Sequence, residues 1–258
     1  MCLIAFAWNA HPRWPLVICA NRDEFHGRPT APLDEWQDHP GVYGGRDLLQ
    51  GGGWLALTRS GRLAAVTNVR EPGSPAAPRS RGKLVADFAE GGLCAAGFAE
   101  LTRADSATYG PFNALLWDGL ELIYLSNRPE PYWTAVSRGI HGLSNSALDV
   151  EWPKTRRLTG VLQAWLQTAG TEAKPDLKPL FEALADPQPA PDAELPDTGV
   201  GTARERLLSP PFILGEQYGT RCSSIILIER DGRARFIERR FAAGGRADGE
   251  RELELKLG

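Results

Sequence analysis

The chain has 258 residues, 42% of them hydrophobic and 24% charged, a globular composition that excludes disordered, collagen-like and membrane-embedded classes. A formal net charge of -3, with no run of Lys/Arg, argues against nucleic acid or anionic lipid as a partner. The four cysteines, Cys2, Cys19, Cys94 and Cys222, show no CxxC spacing, so neither a disulfide framework nor structural zinc is expected.

In chain order, the apolar run at residues 2–8 falls far short of the roughly 20 residues that cross a bilayer and lacks a basic flank. No targeting or transmembrane segment is read, and a reducing cytoplasmic location is expected. Residues 2–8 and 16–20 flank a proline-punctuated connection and predict a hairpin. Residues 54–58 with 63–67, 113–117 with 120–126 around Asp118-Gly119, and 222–229 with 234–241 around Asp231-Gly232 predict three more. Helical patterns occupy 82–90, 93–102 and 152–168; the last has Leu158, Val161, Leu162, Trp165 and Leu166 on one face and Pro153 in its first turn. Residues 186–198, rich in proline and acids, predict an exposed loop and a candidate lid. Adjacent strand pairs separated by helical blocks predict one α+β domain over residues 1–258, with helices outside two packed antiparallel sheets.

Chemistry gathers at the start of the chain. A small residue after the initiator Met permits removal of Met1, leaving a free α-amine beside the Cys2 thiol. Reference pKa values of about 7.7–8.0 and 8.5 allow the two to exchange a proton near neutral pH, so one residue would supply nucleophile and base. Such an activated thiol is expected to react well below pH 8.5. The competing reading of Cys2 is a small buried hydrophobe that opens a strand.

The second strand ends in Asn21-Arg22-Asp23-Glu24, where a hairpin partner returns beside Cys2. Arg lowers a thiol pKa, and a carboxylate holds an ammonium. Strand alternation predicts that Arg22 and Asp23 do not both face the site. Three further apolar strands end in amides or guanidinium groups, at Asn68, Asn145 and Arg221. Asn donors suit an oxyanion hole and a buried Arg suits developing negative charge, whereas turn chemistry alone also accounts for Asn and Ser there. The glycines around Arg46 and before Trp54 form no phosphate loop, because GxxxxGK[ST] and a helix-opening GxGxxG are both missing. No GxSxG elbow is present, and the four histidines lack metal-ligand spacing.

Met1-Cys2, Asn21-Arg22-Asp23-Glu24, Gly44-Gly45-Arg46-Asp47, Gly53-Trp54, Thr67-Asn68-Val69-Arg70, Ser80-Arg81-Gly82, Gly142-Leu143-Ser144-Asn145 and Tyr218-Gly219-Thr220-Arg221-Cys222 resemble the NRDE, or transport and Golgi organisation protein 2, family. The resemblance spans nearly the whole chain. It implies a four-layer αββα sandwich of the N-terminal-nucleophile (Ntn) hydrolase type, two antiparallel sheets between helical layers. Carried over by motif, Cys2 is the nucleophile, Arg22 and Asp23 are its neighbours, Asn68 and Asn145 are oxyanion and amine partners, and Arg221 supports the thiol. In the related hydrolases two residues usually separate the early Arg and Asp, whereas here they are adjacent, which leaves the division of roles among Arg22, Asp23 and Glu24 open.

The implied activity is cofactor-free hydrolysis of a small non-peptide acyl amide. The alternative is a non-catalytic carrier that uses the same pocket for haem as transported ligand, or for acyl-CoA or lipid.

Overall fold

A computed structural model describes residues 2–169 and 174–258. The chain opens with β1 (Cys2–Trp8) and β2 (Leu16–Phe25), followed by β3 (Thr30–Trp36), β4 (His39–Asp47), β5 (Gly53–Thr58) and β6 (Leu63–Asn68). Helices α1 (Gly82–Glu90) and α2 (Ala95–Ala104) lead into β7 (Phe112–Trp117), β8 (Leu122–Ser126), β9 (Tyr132–Ala135) and β10 (Gly139–Leu143). Then come α3 (Pro153–Thr168), α4 (Lys178–Leu184) and α5 (Thr202–Leu207), before β11 (Tyr218–Ile228), β12 (Arg233–Phe241) and β13 (Ala247–Lys256).

These strands form two antiparallel sheets, one ordered β10-β1-β2-β11-β12-β13 and the other β3-β4-β5-β6-β7-β8-β9. Both faces of each sheet are covered, which explains why β1 reads as an unbroken apolar run rather than an alternating one. Its Ile4, Phe6 and Trp8 enter the core between the sheets, against Leu55, Leu57 and Leu115. Leu3, Ala5 and Ala7 face the other way, toward Leu158, Leu162 and Leu180 of α3 and α4. On the far side of the second sheet, α1 and α2 bury Leu84, Val85, Phe88 and Ala99 against Ala64, Phe112 and Leu116. The order helix, sheet, sheet, helix is the four-layer α+β sandwich that the sequence predicts.

All four hairpins and the three helical blocks occur, with shifted ends. The second block begins at Ala95 with Cys94 as its N-cap, the thiol accepting from the Gly97 N–H. The third starts at Pro153, where the absent N–H has no helical partner in any case. Among the described residues no helix is long and apolar enough to cross a membrane.

Residues 186–198 form an irregular segment, as predicted, but not a lid over Cys2. Ala190 donates its N–H to Ser209 Oγ (2.9 Å), Arg157 donates to the Gln188 carbonyl (2.7 Å), and Arg206 pairs with Asp192 at 2.5 Å. These ties hold the loop beside α3 and α5. Proline and acid content marks a loop without saying which face it covers.

One close approach fixes the position of α1. A Cβ built on Gly52 would lie 2.4 Å from the Gly82 carbonyl carbon and 2.5 Å from its oxygen, so only glycine lets the β4–β5 connection meet the helix start. Gly52→Ala is expected to cost about 1–3 kcal/mol, the range for forced overpacking, read as a lowered denaturation midpoint.

Candidate functional site

The register of β1 against β2 pairs Cys2 with Arg22, and β2 against β11 pairs Arg22 with Cys222. Three adjacent strands therefore bring Cys2, Arg22 and Cys222 side by side on the face turned toward the second sheet. Asn21 and Asp23 alternate to the opposite face. Asn21 donates to the Leu184 and Pro211 carbonyls at 2.7 and 2.9 Å and accepts from Ser223 Oγ, so it clamps the helical layer to the sheet.

Alternation thus holds for the strand, yet its predicted consequence does not. Cys2 is the first residue of β1, at the sheet's rim, where both Arg22 and Asp23 reach the same cavity. This cavity encloses about 490 Å³ between the two sheets. Cys2, Arg22, Asp23 and Glu24 line it from the first sheet, Trp54 and Asn68 from the second, and residues 74–82 run along its rim. That proline-rich strip, ahead of α1, occupies the position the sequence reading gave to residues 186–198.

The Cys2 side chain is only 6% exposed. Burial pushes its thiol above the ordinary range and the Asp23 charge adds to this, while the Arg22 guanidinium and the Asp23 backbone N–H favour the thiolate. In the chain that still carries Met1, desolvation outweighs the opposing influences and favours the protonated thiol; the reactivity expected well below pH 8.5 belongs to the chain in which Cys2 is amino-terminal.

Asp23 is buried, and burial raises its carboxyl above the usual carboxylate range; Lys154, Thr220 and Arg22 oppose the rise. Thr220 Oγ1 donates to its Oδ1 at 2.8 Å, and Tyr218 Oη donates to its backbone carbonyl at 3.2 Å.

The two asparagines separate. Asn68 lines the cavity, whereas Asn145 lies behind it, donating Nδ2 to the Asn68 carbonyl at 2.9 Å and accepting the Arg70 N–H at 2.8 Å. Beside it, Ser144 Oγ donates to the Cys2 carbonyl at 3.1 Å, and Thr67 Oγ1 donates to the Ser144 carbonyl at 2.6 Å. The ends of β1, β6 and β10 are so fastened together across the two sheets.

Arg221 also departs from expectation. It sits at the bulge between Thr220 and Cys222 and is not among the residues lining the Cys2 cavity. Its guanidinium donates to the Phe25 and Arg28 carbonyls, at 2.8 and 3.1 Å. A β-bulge turns a side chain away from the direction simple alternation gives.

Other charged groups here were not selected from sequence. Arg81, the N-cap of α1, lines the cavity and donates Nη1 to the Pro111 carbonyl at 3.3 Å. Burial lowers its pKa, and the charge of Cys2 is the next influence, in the opposite direction. Arg81 lay within a quoted motif, but nothing in the spacing distinguished it from a solvated helix start.

Lys154, 1% exposed in the first turn of α3, donates Nζ to the Leu208 carbonyl at 3.3 Å. Burial depresses its pKa from an ordinary 10.5 to about 8, with Asp23 as the main opposing influence. Arg70 forms a buried ion pair with Glu205 and lies over the Trp152 ring, 4.7 Å from its centroid.

Lys154 gives a pH dependence with a definite sign. Between about 8 and 10.5 the unfolded chain holds the Lys154 proton and the folded chain does not, so stability rises with pH across this window. This contribution is full above 10.5 and is lost as pH falls through about 8. Urea midpoints from pH 7.5 to 10.5 are expected to climb in the parent relative to Lys154→Met; parallel profiles would exclude the depressed pKa.

The family model for Transport and Golgi organisation 2 matches residues 1–243. The Transport and Golgi organization protein 2 homolog of Homo sapiens is 30% identical over 258 residues, spanning 93% of this chain and 92% of that one. The Drosophila melanogaster protein of the same name is 27% identical over 262 residues, spanning 92% and 91%. Among solved structures, a C2A mutant of the conjugated bile acid hydrolase from Clostridium perfringens superposes with a TM-score of 0.52. It covers 98% of this chain and 92% of that one at 9% identity, a likeness of fold alone. On this match over nearly its whole length, the chain belongs to the Transport and Golgi organisation 2 family, built on an Ntn-hydrolase-like αββα scaffold.

Proposed function

We propose that the protein is a cysteine-dependent hydrolase of small non-peptide amides, in which loss of Met1 makes Cys2 the nucleophile and its own α-amine the base. One observation carries the reading: Cys2 opens a strand at the rim of a 490 Å³ cavity, with Arg22 in register beside it and the Asp23 N–H directed at its sulfur.

The α-amine takes the thiol proton, and the sulfur adds to the acyl carbon. Arg22 supports the negative charge while it resides on sulfur, and Asn68 meets it when it moves to the carbonyl oxygen. Asn145 acts as a positioning residue through its hydrogen bond to the Asn68 carbonyl. As the tetrahedral adduct collapses, the ammonium returns its proton to the amide nitrogen, the C–N bond breaks and the amine product departs. Water then attacks the thioester, giving its proton to the α-amine, and the carboxylic acid leaves as the thiol is restored. Asp23, fixed by Thr220, holds the ammonium between these transfers.

Carriage of haem is the second reading, favoured by one feature. Among the described residues, Cys2 is the one lining residue of the cavity that belongs to the Cys, His, Met and Tyr set of haem-iron ligands.

The deciding experiment compares the parent with Cys2→Ala, using a panel of N-acyl amides and, separately, a haem titration. Hydrolysis predicts parent turnover that falls by about 10³-fold or more in the variant. A parent without turnover, but with a thiolate–haem spectrum that Cys2→Ala abolishes, would establish the carrier instead.

A further inference from the structure

Five arginines line the Cys2 cavity: Arg22, Arg28, Arg46, Arg79 and Arg81. Three are matched by carboxylates. Arg28 pairs with Asp47 at 2.5 Å, Arg46 with Asp38 at 2.5 Å, and Arg79 with Asp105 at 2.9 Å and Asp87 at 3.2 Å. Arg22 and Arg81 are different. Among the described residues neither has a carboxylate within ion-pair distance; Arg22 contacts Thr30 Oγ1 at 3.4 Å and Arg81 contacts the Pro111 carbonyl at 3.3 Å. Arg22, 7% exposed, sits in register with Cys2 and is the natural counter-charge for its thiolate. The other, the half-buried Arg81 on the rim, then has no carboxylate in ion-pair contact, the charges of Cys2 and Glu24 acting on it only from farther off.

Its surroundings reinforce the excess. Arg81 caps α1 without a side-chain cap, and the first turn of that nine-residue helix holds no acidic residue, so the positive helix end is not neutralised. The contact through Nη1 leaves most of the fork's five N–H donors for a ligand. A guanidinium is the group best matched to bidentate capture of a planar carboxylate. The cavity also presents the acidic side chains of Asp23, Glu24 and Asp47. With the thiolate assigned to Arg22, a single surplus cation among these acids suits a monoanion rather than a dianionic phosphate.

We propose that Arg81 anchors a carboxylate on the substrate, so that this site selects acyl amides bearing a carboxylate, such as N-acyl amino acids, over their uncharged counterparts. The proposal rests on the amide-hydrolase reading for what lies at Cys2, but the anion preference is a binding property that needs no turnover.

The test is calorimetric titration of the Cys2→Ala protein with N-octanoylglycine and with N-octanoylglycinamide, which differ by the carboxylate. The acid is expected to bind about tenfold tighter, the worth of a charge-assisted hydrogen-bonded pair. Arg81→Gln in the same background is expected to erase the difference, and Arg81→Lys to keep part of it. Equal affinities, binding by neither compound, or a preference that survives Arg81→Gln would each overturn the assignment. Because the titrations involve neither the thiol nor turnover, their outcome is read apart from the activity of the parent, whose absence would count against the hydrolase reading alone. Should Arg81→Gln fail to fold, as judged by its unfolding curve, the Lys variant still decides: full loss or full retention of the preference contradicts a guanidinium fork as the anchor.

Discussion

Asp23→Asn is expected to lower amide turnover by about a hundredfold or more, while leaving the protein at least as stable at pH 7 as the parent. The two effects separate because the carboxylate serves the chemistry at a cost to the fold. Burial raises the Asp23 carboxyl above the usual range. Its favourable contribution to stability is therefore full below the unfolded-state value of about 3.9 and is lost as pH rises through the higher folded-state value. At neutral pH the ionised side chain is a net expense that a neutral amide of the same shape does not incur.

Catalysis nevertheless needs that ionised state, since an ammonium formed beside Cys2 is stabilised by a carboxylate and not by an amide. Losses of about 10²–10⁴ are usual when a group supporting proton transfer is neutralised. Retained turnover in the Asn variant would remove Asp23 from the chemistry. A fall in activity matched by a fall in melting temperature would reduce it to a structural group.

Glu205→Gln is expected to be the most damaging single change to the fold outside the sheets, at about 3–5 kcal/mol, the cost of leaving a buried charge without its partner. Glu205 and Arg70 are 3% and 6% exposed at their side chains, and the other Glu205 oxygen accepts both the Thr198 N–H and its hydroxyl. The substitution keeps shape and removes charge, so the Arg70 guanidinium stays buried over Trp152 with nothing to offset it. Arg70 follows Asn68 by two residues and donates its N–H to Asn145. Loosening this pair is therefore expected to disturb the cavity wall as well as stability. The urea midpoint checks the claim, and an unchanged value would mean that water reaches this pair.

Strands bounded by tight turns were legible in the sequence because Asp-Gly pairs and apolar runs announce them. The outer strands were not. Arg251, Glu252 and Glu254 dominate β13, whose Leu253 and Leu255 rest against the core only in part, so its alternation reads as a charged tail. β10 carries Gly139 and Gly142; a Cβ at Gly142 would meet Thr155 Cγ2 at 2.2 Å, so the strand gives up β-propensity to let α3 approach. Helices α4 and α5 span seven and six residues, too short for a helical period to show.

The candidate site divides along the same line. A hairpin register is a local property, and it pointed to Arg22 or Asp23 as the neighbour of Cys2, of which the strand pairing puts Arg22 in register. Arg81, Lys154 and the Arg70–Glu205 pair act across the layers, joining segments far apart in the chain. A Lys in the first turn of an amphipathic helix looks solvated until the loop above it is known.

The central claim is that Cys2, once amino-terminal, forms the covalent bond to the acyl group. Intact-mass and peptide-level mass spectrometry of the purified protein after incubation with p-nitrophenyl octanoate tests it directly. The account predicts a chain lacking Met1 that carries one octanoyl group as a thioester on Cys2, and no adduct in Cys2→Ala. A chain that keeps Met1, or one acylated at exposed Cys94 while Cys2 stays free, would contradict it.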